Sequence, residues 1–118
     1  MIGQFIAVLF LARELAHREH LRTKSYAQHA ALGDFYPAVV DLADSLAEAY
    51  QGRKGIIEIP LLDNEFPGEI IKSMRDQLAW IESNRDDAVG KDERAMQNIV
   101  DEIVGLYLST LYKLTNLK

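Results

Sequence analysis

The stretch GIIEIPLLDNEF, residues 55–66, decides the fold. It is rich in β-branched and apolar residues, contains Pro60 and shows no 3.6-residue period, so it reads as an extended segment and not as a helix. At ~3.3 Å per residue it spans about 40 Å, as much as a long helix does at ~1.5 Å per residue. A connector of that reach carries the chain from one end of a helical bundle to the other. The helix after it can then run parallel to the helix before it.

Helical periodicity surrounds this segment on both sides. The spacing predicts a first helix over residues 2–21, with Ile2, Phe5, Ile6, Val8, Leu9 and Leu15 on a wide apolar face that Phe10 and Leu11 extend. So apolar a helix must be covered on several sides, which predicts a homodimer or higher homo-oligomer. RTKS, residues 22–25, is the turn. A second helix over about 24–51 carries Leu32, Phe35, Val39, Leu42, Leu46 and Tyr50 at spacings of three and four, and Gly52 is placed to end it. Gly33 and Pro37 fall inside it, predicting either a kink or a restart with Asp34 as N-cap. After a connector over 53–66, a third helix starts near Pro67, with Ile70, Ile71, Met74, Leu78 and Ile81 on one face and Trp80 in the core. The fourth shows the cleanest stripe: Met96, Ile99, Val100, Ile103, Val104, Tyr107, Leu108 and Leu111. Four helices with a long extended crossover between the second and third make an all-α, ferritin-like four-helix bundle, in one domain over residues 1–118.

Composition excludes several function classes. Thirteen Lys and Arg against eighteen Asp and Glu give a net charge of −5, which opposes a polyanion, so nucleic acid is not an expected partner. The basic residues that cluster, Arg13, Arg18, Arg22 and Lys24, run toward a helix end, where cations offset the C-terminal dipole. There is no cysteine, hence no disulfide, thiolate metal site or cysteine nucleophile. The opening MIGQFIAVLFLA has no positive n-region and is too short to span a bilayer, so a cytoplasmic protein without a membrane partner is expected.

All three histidines, His17, His20 and His29, lie within thirteen residues, and the second helix carries acids at 34, 41, 44 and 48. Asp44 and Glu48, one helical turn apart, project the same way and can hold a cation together. His17 and His29 flank the turn and are expected at one level of the hairpin, whereas His20 reads as a surface residue. Asp44, however, is fifteen residues beyond His29, about 22 Å along a helix. A site built from His17, His29, Asp44 and Glu48 therefore needs a two-fold axis that brings the acids of one subunit to the histidines of its mate.

The segment HREHLRTKSYAQHAALGDFYPAVVDLADSLAE resembles the part of the Dps proteins, the miniferritins, that carries their ferroxidase centre. In that family an aspartate follows two histidines spaced twelve apart after fifteen positions, and a glutamate follows four later. His17, His29, Asp44 and Glu48 repeat those intervals. The resemblance implies ferrous iron binding across a dimer interface and its oxidation by peroxide or oxygen. Two imidazoles and two carboxylates also suit zinc or cobalt. HLRTKSYAQHAALGDFYPAVVDLADSLAEAYQG is similar to small bacteriophage-encoded proteins of unassigned function, which implies a host cytoplasm but no activity. The two Glu-x-x-His pairs of larger di-iron bundles are not present, because only Glu14-x-x-His17 occurs. Arg18, beside the first histidine, repels a ferrous ion. It favours an alternative in which the bundle is a non-enzymatic, oligomeric phage accessory protein that binds a host protein or small molecule.

Overall fold

In a computed structural model of residues 1–118 the chain forms four helices and no strand. They are α1 (Ile2–Arg22), α2 (Tyr26–Lys54), α3 (Ile70–Val89) and α4 (Arg94–Asn116). Between Lys54 and Ile70 there is no helix.

Helix ends follow from local chemistry. Ser25 caps α2 by accepting the amide of Gln28 at 3.2 Å. Glu69 caps α3 by accepting the amides of Ile71 and Lys72 at 3.0 and 2.7 Å, so the helix begins at Ile70 and not at Pro67. The C-cap of α2 is Gly55 and that of α3 is Gly90, at φ of 102° and 100°, values that favour glycine. Helix α2 thus runs through Gly52. It also runs unbroken through Gly33 and Pro37, with no restart at Asp34. Leu32, Phe35, Val39, Ala43 and Leu46 are buried along this span, and their packing outweighs the amide that Pro37 lacks.

Contacts give each helix its direction. Helix α1 packs on α2 and α3, and α4 packs on the same two. Arg85 on α3 meets Gln97 and Asp101 on α4, whereas Gln77 meets Tyr107, so α3 and α4 are antiparallel. Phe35 of α2 packs edge-on against Tyr107 and Arg53 pairs with Glu93, so α2 and α4 are antiparallel too. The connector passes Gly3 at Glu58, borders Ala7 to Glu14 with Ile59 to Leu62, and reaches Leu15, Arg18 and Arg22 with Asn64 to Ile70. It therefore follows α1 along a molecule 43 Å long, and α3 runs parallel to α2.

One core of 23 buried residues draws on all four helices and on Phe66 of the connector. Residues 5–9 of α1 are buried without a break. The connector borders the side of α1 that α2 and α3 leave open, while Phe10 and Leu21 stay exposed at 37% and 71%. Trp80 is half-buried, its ring 5.8 Å from that of Phe5. No helix is long and apolar enough to cross a membrane.

Candidate functional site

The turn between α1 and α2 is only three residues long, and it sets which side chains meet across the hairpin. Beyond it, the seam carries a ladder of rings. His17 stacks on Tyr36 with centroids 4.2 Å apart and planes at 11°. His20 stacks on His29 at 3.8 Å and 15°. His20 also lies 5.4 Å from Tyr36 and 6.4 Å from His17, which ties the two stacks into one cluster. Tyr26 closes one end at 6.3 Å from His29, and the Arg13 guanidinium sits 5.8 Å from the Tyr36 ring centre at the other.

The register differs from the sequence expectation. His17 faces Tyr36 and not His29; the residue opposite His29 is His20, which is half-buried and central. Because the turn is short, His20 on the last turns of α1 reaches the first turn of α2, and His17 falls one turn further down the seam.

Two hydrogen bonds lock this pair. His20 Nδ1 donates to the backbone carbonyl of His29 at 2.7 Å, and His29 Nδ1 donates to the carbonyl of His20 at 2.6 Å. A carbonyl oxygen only accepts, so both rings carry a proton on Nδ1, and in the neutral ring Nε2 is then the lone-pair nitrogen. The second bond also has a structural use. The carbonyl of His20 lies in the last turn of α1, where no helical amide reaches it, and His29 supplies the donor. Gly33 forms the floor: a Cβ there would stand 2.8 Å from His20 Cε1 and 3.1 Å from its Nδ1. From the sequence alone, Gly33 reads as a helix disturbance and His20 as a surface residue. The available signal was a glycine across the hairpin from a histidine.

The carboxylates lie further along the same seam. Asp44 is exposed and borders a groove with Phe10, Arg13, Glu14 and Val40. Glu48, one turn on, is exposed as well. Neither enters any of the five ion pairs or accepts a hydrogen bond from another side chain. Since α2 is continuous, Asp44 stands about 22 Å and Glu48 about 28 Å from His29 along its axis. No three His, Asp or Glu side chains of one chain converge on a common point. Arg18, the cation beside His17, pairs with Glu14 at 3.8 Å on the exposed surface, which partly offsets its charge.

A second polar group is buried outside this seam. Ser73 donates to the Phe66 carbonyl, Gln77 donates to Ser73 at 3.0 Å, and Tyr107 donates to Gln77 at 2.7 Å. The chain of bonds ties the end of the connector to α3 and α4. Every member has a partner, and it reads as a core network and not as a site.

No curated protein and no solved structure matches the chain. Residues 20–114, which include His20, Gly33 and both seam carboxylates, match the model of a family of unknown function, DUF5856, and the chain belongs to that family.

Proposed function

We propose that this chain is a cytoplasmic, ferritin-like bundle that pairs through the outer face of α1 and α2 and binds ferrous iron between subunits. In this reading His17 and His29 of one subunit supply nitrogen ligands, and Asp44 and Glu48 of its mate supply oxygen. The observation that carries it is the donor set along the seam. His29 has its Nδ1 proton anchored on a backbone carbonyl, the arrangement that orients a metal-binding imidazole, while Asp44 and Glu48 have no partner within the chain. The parallel course of α2 and α3 supports the ferritin-like topology. Oxidation by peroxide balances when two ferrous ions each release one electron, and peroxide takes both, with two protons, to become two waters.

A second reading has its own support. The histidine faces are spent on stacking, and His20 stands beside both intended nitrogen ligands. A bundle that keeps these rings as a hairpin clasp and binds a host protein or small molecule, without metal chemistry, fits that arrangement.

The separating experiment is an anaerobic ferrous titration of the purified protein, followed by peroxide and absorbance of the ferric product. His17→Ala and Glu48→Ala serve as variants, with sedimentation to follow assembly. Iron at one or two ions per dimer interface, oxidised faster than in buffer and lost in each variant without dissociation, supports the iron reading. Wild type and variants that all behave as buffer while staying folded oligomers leave the interaction bundle.

A further inference from the structure

We infer that His20 is a positioning residue for His29, holding the His29 imidazole in its Nδ1–H tautomer so that Nε2 is its only lone-pair donor. The metal-binding consequence rests on the iron reading; the tautomer itself does not. Free histidine favours the opposite, Nε2–H form, so a ring held as Nδ1–H needs a specific acceptor and a fixed orientation. His20 supplies both. Its carbonyl accepts from His29 Nδ1 at 2.6 Å, and its ring lies flat on the His29 ring at 3.8 Å and 15°. The His20 ring is pinned in turn by its own Nδ1 on the His29 carbonyl at 2.7 Å. Gly33 is the third part of the device. A side chain there would meet His20 Cε1 at 2.8 Å and push the ring off its partner. The two residues thus orient each other, and the space that permits it comes from α2.

The test reads the tautomer directly. Protein labelled with ¹⁵N-histidine, metal-free and in mildly alkaline buffer, gives long-range ¹H–¹⁵N correlations that distinguish Nδ1–H from Nε2–H, with His29 assigned from a His29→Gln spectrum. Wild type is expected to show His29 as Nδ1–H. His20→Ala keeps the backbone carbonyl but removes the ring that holds the His29 imidazole flat against it, so an Nε2–H population of His29 is expected to appear. The same change is expected in Gly33→Ala, which keeps the His20 side chain and places a better helix former in α2, so unfolding does not account for it. Ferrous affinity, measured anaerobically, is expected to fall about 10- to 100-fold in both variants, the range that disturbing an outer-shell hydrogen bond produces. A wild-type His29 in the Nε2–H form, or a tautomer unchanged in both variants, overturns the inference. A tautomer that responds in a wild-type protein that takes up no iron supports the positioning role and overturns the iron reading.

Discussion

The phenol of Tyr107 on α4 donates to the side-chain carbonyl of Gln77 on α3 at 2.7 Å, and both side chains are fully buried. Replacing Tyr107 with Phe leaves the Gln77 oxygen without its donor, which costs about 1–3 kcal/mol. Urea denaturation should show that loss, and adding Gln77→Leu to Tyr107→Phe should recover part of it. Burial pushes the Tyr107 phenol far above the usual tyrosine range. A raised value in the folded state means that the contribution to stability is complete below the unfolded-state value of ~10 and declines as pH rises beyond it. Stability of the wild type should therefore fall on the alkaline side of that value, and Tyr107→Phe should remove this part of the decline.

Arg85 joins the α3–α4 turn through three bonds: to Gln97 Oε1 at 2.7 Å, to the Gln97 carbonyl at 3.1 Å and to Asp101 at 2.6 Å. The Gln97 amide in turn donates to Asp86 and to the Gly90 carbonyl. Arg85→Ala should lower stability by about 1–2 kcal/mol. Arg85→Lys should not restore it, because one ammonium cannot reproduce a planar fork with donors in three directions. Thermal unfolding of the three proteins decides this.

Gly3 is where the connector backbone crosses α1. A Cβ at this position would overlap the carbonyl oxygen of Glu58 and lie 3.6 Å from Pro60 Cδ. Backbone cannot yield as a flexible side chain does, so Gly3→Ala should cost about 1–3 kcal/mol, as overpacking does, despite the gain in helix propensity. Limited proteolysis should cut the variant faster within residues 56–62.

Phe10 borders two of the grooves beside α1, one lined by Ile59 and Leu61 and the other by Val40 and Asp44, and is 37% exposed. If subunits pair through this face, Phe10→Asp should weaken the dimer more than tenfold by sedimentation while leaving the helical circular dichroism unchanged. A monomeric wild type at micromolar concentration would rule out the shared iron site along with the pairing.

The sequence by itself determined the four helices, because apolar residues at spacings of three and four can bury a face only as helices. It also determined the extended connector, since Pro60 and the β-branched run carry no such period. The intervals from His17 to His29, Asp44 and Glu48 were readable as numbers, and the 3.6-residue repeat placed the last two on one side of α2. Tertiary structure decided the rest. Pro37 reads locally as a break, yet α2 continues because Phe35 and Val39 on either side are anchored in the core. The apolar surface of α1 reads as wanting a second subunit, and the connector borders part of it, through contacts between residues about fifty positions apart, while Phe10 stays exposed. The partner of each histidine depends on the length of a three-residue turn and on the missing Cβ at Gly33, which set ring against ring across two helices. Such pairings are relations between elements, and a period within one element cannot encode them.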